Sequence, residues 1–416
     1  MKKKVKIKQF KQLITFALVA NSAYSVNSRF GDISINARAG VDFDSNIFSN
    51  ETESDDVVIT FTPTATYARQ FGPLKLSATG GGNFGRYIDH PEEDFSDPIT
   101  SFNIGMAEDF GIFSVNKRSA GKIKFGFDTD VSQRTESNQQ LQDLVSYTLY
   151  TANFNVRYNH SPKFGVSAQA KYDFRDYQDI SSIQKYYTDM LTRQVGATLY
   201  YIYSPKLDLY ADYNFSKHYG KSEEGRNFFT NNDVSTIRIG AEGTFTPKIS
   251  GDASIGYAFR TFDNSVSEAE EGIIFSTSVT WQFRQKTGVS IGLTKNYMPT
   301  SQDNALDTSS YHVSLTHKFT SRMIGTAGYI YNNSDYLTYR TDPRDPAIIN
   351  SSLINPSDVI FDRTDVMQGI NLSVNNAITK YLSTVARYTY STTDSGYGDD
   401  FSNERHVLSF TVNLNY

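Results

Sequence analysis

The sequence predicts an all-β protein, a transmembrane antiparallel β-barrel of about 18 strands preceded by a signal peptide. Three observations carry this prediction. The chain begins with a basic segment followed by an apolar run. Its body repeats a period-two alternation of apolar and polar residues. Short basic connections and long acidic connections alternate along the chain.

The N-terminal segment has the parts of a secretory signal peptide. Residues 1–11 contain six lysines and no acidic residue, residues 13–20 are mostly apolar, and small residues follow at 21–23. The apolar run is too short to cross a bilayer as a helix, which needs about 20 residues. We therefore expect residues 1–23 to be a cleaved signal peptide and residues 24–416 to form the barrel. Removing the six lysines changes the formal net charge from −5 to about −11.

The composition does not suit a soluble globule of this length. Mean hydropathy is −0.45, yet the chain carries 28 Tyr and 29 Phe. Low hydropathy with many rings is typical of strands that alternate between lipid and water and carry aromatic girdles at the interfaces. The chain has no cysteine, which excludes a disulfide framework, a thiolate metal site and a lipid-anchored N-terminus.

The alternation is clearest at the C-terminus. Every second residue of 408–416 is apolar, so Leu408, Phe410 and Tyr416 share one face of a strand. This end resembles the C-terminal signature by which bacterial outer-membrane barrels are recognised, so we expect the barrel-assembly machinery to bind strand 408–416. An ordinary half-buried strand would explain this end alone. It would not explain why the alternation recurs upstream at 33–43, 123–131, 207–215 and 273–283.

The connections give the strand count and the orientation. Short basic turns lie at 73–75, 161–163, 204–206, 246–248, 284–286, 321–322 and 379–380, with a looser one at 114–120. Longer acidic loops include 51–56, 92–94 and 268–271. Eight short turns and nine long loops join eighteen strands of about 11 to 14 residues, with the short turns and both termini on the periplasmic side. The alternative, a β-propeller or β-solenoid, is disfavoured because a propeller blade has four strands while the unit here is a hairpin.

The architecture bounds what the protein can do. An eighteen-strand wall is as wide as a porin and leaves an interior that side chains do not fill. Because the first strand begins near Ile33, we expect no N-terminal plug, and because the last strand ends the chain we expect no periplasmic domain. The longest loop, 333–363, contains three prolines. It could fold inward as a constriction or act as an extracellular lid.

The polar face of each strand supplies the candidate lumen-lining residues. Charges of both signs could set the field that solutes feel, although pairing that only solvates the wall is the favoured interpretation for any single residue. Rings facing water could stack on sugars. The candidates are Arg38, Lys124, Asp128, Asp130, Arg157, Lys171, Asp173, Arg175, Tyr200, Tyr210, Asp212, Arg238, Glu242, Arg260 and Arg387.

Enzymatic hypotheses fail on the residues present. The six histidines are scattered, and the sequence contains no His-x-x-x-His or Gly-x-Ser-x-Gly motif. We therefore expect no catalytic site, cofactor or metal site, and no nucleic-acid partner. The expected partners are outer-membrane lipid and lipopolysaccharide in a Gram-negative outer membrane. The acidic loops could hold divalent cations at that surface, but a solvated acidic face is favoured.

Residues 35–87 carry a family resemblance. The segment 39–48 reads Ala-Gly-Val-Asp-Phe-Asp-Ser-Asn-Ile-Phe, and Ser54-Asp55-Asp56 and Thr62-Pro63 follow. It resembles the opening of outer-membrane β-barrel porins encoded with exopolysaccharide biosynthesis genes, in which Asp44 would form an Asx turn. The resemblance implies a porin-like conduit associated with secreted polysaccharide and transfers no catalytic residue. The alternative is a non-conducting structural barrel whose extracellular loops bind surface partners.

Overall fold

The structure is a computed structural model that describes residues 26–28, 31–106, 123–138, 143–178, 189–221, 231–263, 269–298, 306–339, 361–396 and 402–415. The predicted signal peptide, residues 1–23, and the looser turn at 114–120 lie outside the described residues. Within the described part of the chain, helices long and apolar enough to cross a membrane are absent.

The described residues form eighteen long strands of 12 to 17 residues, several of them longer than the 11 to 14 residues expected from the sequence. The strands are β1 (Gly31–Asp44), β2 (Asp56–Phe71), β3 (Leu74–Tyr87), β4 (Phe95–Met106), β5 (Ile123–Asn138), β6 (Asp143–Asn159), β7 (Phe164–Tyr177), β8 (Asp189–Ser204), β9 (Leu207–Lys221), β10 (Asn232–Thr246), β11 (Ile249–Phe262), β12 (Glu270–Arg284), β13 (Thr287–Met298), β14 (Leu306–Lys318), β15 (Met323–Tyr339), β16 (Phe361–Ala377), β17 (Leu382–Ser395) and β18 (Asn403–Asn415). A single 3-10 turn (Pro91–Glu93) lies between β3 and β4 in the described chain.

The sheet closes on itself. Each strand pairs antiparallel with its neighbours in chain order, and β18 pairs with β1, with Val407 opposite Asp44 and Asn415 opposite Asn36. A three-residue segment, Val26–Ser28, pairs with the start of β1. Closure satisfies the backbone groups that a bilayer cannot hydrate. The predicted eighteen-strand antiparallel barrel is therefore confirmed.

Period-two alternation divides every strand between an outer and an inner face. On β9 and β10, Leu209 is 41% exposed and Ile239 62% exposed, while Asp208, which precedes Leu209 and lies opposite Glu242, is only 1% exposed. The outer face carries a continuous aliphatic band, which suits hydrocarbon, and the inner face carries the polar residues. We use outer face and inner face in this sense below.

Aromatic residues on the outer face cluster beside the short turns. Phe164 (57% exposed), Tyr203 (60%) and Phe319 (55%) lie within a few residues of a short turn. The single tryptophan, Trp281, lies near the turn at 285–286. Several carry a basic partner over the ring, with Lys380 Nζ 4.5 Å from the Tyr381 centroid. This is the girdle expected where a barrel meets lipid headgroups. The end with the short turns is called the periplasmic end below, as the sequence predicts, and the opposite end the extracellular end.

The longest predicted loop, 333–363, is shorter in the structure. β15 continues to Tyr339 and β16 begins at Phe361, with Asn333 opposite Val366 and Tyr336 opposite Arg363. The sequence misses this extension because polar residues can continue an antiparallel ladder above the membrane without apolar alternation. Residues 340–360, and with them the question of inward folding, lie outside the described residues.

Candidate functional site

The inner face divides into charged and uncharged arcs. The strands β5 to β11 carry most of its charge, and β16 to β1 carry a smaller charged strip. Of the fifteen predicted lumen-lining residues, only Arg38 on β1 and Arg387 on β17 lie in that smaller strip. The other thirteen lie on β5 to β11 and share the inner phase of the ladder. Their role in lining a conducting lumen stays a prediction.

A group of four side chains, here called the corner cluster, lies near the periplasmic ends of β6, β8, β9 and β10. Arg157 donates a hydrogen bond of 2.9 Å to Asp208, and its other terminal nitrogen is 3.6 Å from Glu242. Its guanidinium carbon lies 4.0 Å from the centroid of the Tyr200 ring. The Asp208 side chain is 1% exposed and that of Arg157 24%. Because the Asp208 side chain is almost completely buried, the Arg157–Asp208 ion pair is part of the barrel wall.

The next layer toward the membrane centre repeats the pattern. Arg238 donates to Asp212 through two nitrogens, at 2.9 and 3.1 Å, and Asn214 donates to the same carboxylate. Tyr210 donates to Asp252 across two strands at 2.9 Å. Charges and amides thus satisfy one another in pairs, as buried polar groups require.

These contacts reflect the inward curvature of the closed wall. Arg157 and Asp208 are three strands apart, a separation of about 14 Å in a flat sheet, yet they are in direct contact. Their side chains converge because both point to the concave inner side of the barrel. Glycines make room on the inner face: a Cβ at Gly240 would lie 2.6 Å from the Tyr210 ring, and one at Gly196 would lie 2.1 Å from Asn214 Oδ1. Glycine at a barrel corner serves this purpose.

The remaining predicted residues on this arc form separate small groups. Asp173 lies between Lys171 at 3.7 Å and Arg175 at 3.6 Å. Asp128 accepts from Asn153 at 2.7 Å, and Asp130 accepts from Ser132 at 2.7 Å. Lys124 lies opposite Arg157 in the ladder.

Arg260 lies near the extracellular end of β11 and does not contact the corner cluster. It is 1% exposed, it donates to Asn232 at 3.3 Å, and its guanidinium lies over the ring of Phe262. Arg38 and Arg387 lie on the other side of the barrel, in register with Asn413 and Ser409 of β18. The predicted set is therefore several groups along the wall.

Two arcs of the inner face are almost free of charge. In the central parts of the described strands β2 to β4 and β13 to β16, the inner residues are hydroxyls, amides, glycines and a few aliphatics, with His312 the one titratable group. Neighbouring hydroxyls bond each other, as Thr66 and Thr79 do at 2.9 Å. The polar inner residues are Thr60, Thr62, Thr64, Thr66, Ser77, Thr79, Asn83, Ser101 and Asn103 on one arc, and Ser290, Thr294, Ser310, Ser314, Thr316, Thr326, Asn332, Asn371 and Ser373 on the other.

The loop between β1 and β2, residues 45–55 and here called the mouth loop, is held firmly at the extracellular end. Asn46 is fully buried. Its backbone N–H donates to Asp44 Oδ1 at 3.0 Å, which confirms the predicted Asx turn. Its side chain donates to the carbonyl oxygens of Asn50 at 2.7 Å and Glu404 at 3.1 Å. Arg405 of β18 donates to Asp44 and, at 3.0 Å, to Ser49.

The mouth loop reaches far across the barrel end. Ile47, 1% exposed, packs in an apolar cluster with Val58 and Tyr87 of the inner face and with Leu144 at the start of β6. Ser49 Oγ lies 2.7 Å from Ser137 Oγ on β5, four strands from β1. The loop therefore lies against the inner surface of the wall and covers part of the extracellular opening.

Asp208 and Arg405 belong to these groups, although sequence reasoning did not select them, and it selected Asp44 only for its Asx turn. Asp208 stands in the same alternating series as Tyr210 and Asp212, so period-two phase alone could have included it. Nothing local in the sequence indicates that Arg405 meets Asp44, because the two lie at opposite ends of the chain. In the described residues, side chains that could hold a metal ion do not gather in groups of three or more.

Comparison with known proteins decides the family. A family model described as "Putative beta-barrel porin 2" matches residues 33–416. The chain belongs to this family. This β-barrel porin is thus an outer-membrane, multi-pass barrel of a Gram-negative bacterium, and porins of this fold are typically non-enzymatic. The predicted resemblance to a porin family is confirmed, while its link to exopolysaccharide genes stays a prediction.

Solved structures share the architecture of this porin. A BenF-like porin from Pseudomonas fluorescens Pf-5 matches with a TM-score of 0.50 and 10% identity, covering 94% of this chain and 100% of that chain. The outer membrane protein opdK from Pseudomonas aeruginosa matches with a TM-score of 0.48 and 10% identity, covering 92% and 98%. OccK2 (OpdF) from the same organism matches at 0.47 and 10%, covering 92% and 96%. At this identity the likeness concerns the fold alone. A search of curated proteins found no match.

Proposed function

We propose that this porin is a passive, water-filled conduit across the outer membrane, partly narrowed at its extracellular end by the mouth loop. The observation that carries the proposal is the closed eighteen-strand wall whose inner face is polar on every strand. A barrel of this width is not filled by its own side chains. A non-conducting surface-binding barrel would not need a polar inner face around the whole circumference.

The proposed solute class follows from the distribution of charged and uncharged side chains on the inner face. In the corner cluster the Arg157 guanidinium lies 2.9 to 3.6 Å from two carboxylates, so only one negative charge is left uncompensated to act on a passing solute. The uncharged arcs present hydroxyl and amide groups, which exchange hydrogen bonds readily with neutral polyhydroxylated molecules. We propose carbohydrate as the solute, with a secreted polysaccharide as the finer form of the proposal.

The test is single-channel conductance of the purified full-length protein in planar bilayers. We expect stepwise openings with weak preference between cations and anions, and transient blocking by neutral oligosaccharides. A second variant replaces residues 341–359 with a short Gly-Ser linker, so that a loop occluding the lumen cannot hide a conducting barrel. Absence of openings in both proteins, with the barrel folded, would overturn the conduit proposal.

The solute is tested separately by swelling of vesicles that contain the porin. Neutral sugars should enter as fast as charged sugars of equal size or faster. Rapid entry of sugar acids with exclusion of neutral sugars would refute the carbohydrate assignment and leave the conduit intact.

A further inference from the structure

The outer face contains a groove between β14 and β18 in its periplasmic half. Its volume is about 380 Å³, within the range of small-molecule pockets, roughly 300 to 1,000 Å³. Its floor is made by small residues, Gly325 and Ala327, and its sides by larger ones, Leu315 and Leu372. All four point outward in the ladder, so in the membrane the groove opens to lipid tails.

Aromatic and basic residues border the periplasmic end of the groove. Phe319 lines the groove and is 55% exposed. Arg322, on the turn after β14, lies against the turn after β16, with a guanidinium nitrogen 3.5 Å from the Ile378 carbonyl oxygen. Lys380 on that second turn lies over the exposed Tyr381 ring. The turn after β12 is adjacent through Lys318 N–H and the Lys286 carbonyl oxygen, 2.8 Å apart.

The turns that border this end of the groove are therefore basic. Lys286, Arg322 and Lys380 are exposed, and the described turns that carry them, 285–286, 319–322 and 378–381, contain no acidic residue. The guanidinium and ammonium groups lie beside aromatic rings at headgroup depth, next to the apolar groove. This arrangement is complementary to a molecule with an anionic head and an acyl tail.

We propose that this groove binds an anionic phospholipid of the periplasmic leaflet, with one acyl chain between Leu315 and Leu372 and the phosphate against Arg322 and Lys380. The assignment does not depend on what passes through the lumen. Lipopolysaccharide is excluded as the occupant because the basic turns face the periplasm, while lipopolysaccharide occupies the opposite leaflet.

The experiment is native mass spectrometry of the full-length protein in detergent, titrated with phosphatidylglycerol or with phosphatidylethanolamine of the same chains. The wild-type protein should retain one phosphatidylglycerol at concentrations where phosphatidylethanolamine is lost. Each basic residue near an anionic headgroup contributes about 1 kcal/mol, so R322Q should weaken binding about five-fold and R322Q/K380Q about 25-fold. A327L fills the groove and should abolish retention of either lipid.

Matched controls lie on the other side of the barrel. Lys206 is on a corresponding short turn, and Ala197 is an exposed outer residue of β8, so K206Q and A197L should bind like wild type. Folding of every variant is checked by its gel mobility without heating. Equal retention of the two lipids, or equal effects of K206Q and R322Q, would overturn the proposal. So would a dimer or trimer that A327L dissociates, because a second copy would then occupy the groove.

Discussion

The corner cluster predicts a large and specific loss of stability when its cation is removed. Arg157→Met keeps an unbranched stem against Tyr200 but removes the guanidinium that bonds Asp208 at 2.9 Å. Asp208 is 1% exposed, so its carboxylate would remain buried without its main cationic partner. Breaking a buried pair from one side costs about 3–5 kcal/mol. We expect about 3 kcal/mol, the lower end, because the Arg157 side chain is 24% exposed and water enters.

The assay is reversible urea unfolding in lipid vesicles, followed by the fluorescence of Trp281, the single tryptophan, which is on the outer face and 49% exposed. The double variant R157M/D208N should recover most of the loss and lie within about 1 kcal/mol of wild type, because the fully buried carboxylate is replaced by a neutral amide and the remaining one, Glu242, is 20% exposed to water. Arg387→Met, at an exposed arginine on the opposite inner arc, is the control and should cost less than about 1 kcal/mol. Equal effects of R157M and R387M, or no rescue in the double variant, would refute the assignment of the cluster as part of the wall.

Two further predictions concern the two faces, and both use the same urea titration. Gly240→Ala should destabilise the barrel by about 1–3 kcal/mol, because its Cβ would lie 2.6 Å from the Tyr210 ring. The control Gly80→Ala, whose Cβ would have nothing within 4 Å, should be neutral. A neutral G240A would argue against close packing around Tyr210. Ile239→Arg, at the centre of β10 and 62% exposed on the outer face, should cost about 2–4 kcal/mol in a bilayer, while Ser314→Arg on the inner face should cost little. Equal costs for the two arginines would mean that the faces are assigned the wrong way round.

The fold could be predicted from sequence because its signal is local. Alternation of apolar and polar residues and the short basic turns are properties of each hairpin, and closure follows from the bilayer. The phase of Tyr210 and Asp212 also follows from alternation. The length of the strands could not be predicted from alternation. The ladder continues above the membrane through polar residues such as Asn332 and Asn333, where no lipid imposes a pattern.

The partners within the wall could not be predicted in the same way. Which inner side chains meet depends on strand stagger and local curvature, and Arg157 is 51 residues from Asp208 in sequence. The Asx turn at Asp44 was accessible because it spans two residues. The contact of Ile47 with Leu144 was not, because it depends on how far the mouth loop reaches across the closed barrel.

The distribution of charge along the inner face separates the part of the wall that holds the barrel together from the part available to a solute. On β6 to β11, acidic and basic side chains lie within 3 to 4 Å of each other and are partly buried. Their interactions therefore stabilise the wall. In the central parts of β2 to β4 and β13 to β16, hydroxyls and amides replace charges. Substitutions in the charged corner should therefore act first on stability, and substitutions in the hydroxyl arcs should act first on conductance. The two groups of residues would be expected to respond independently, since they lie on different strands and share no contact among the interactions described above.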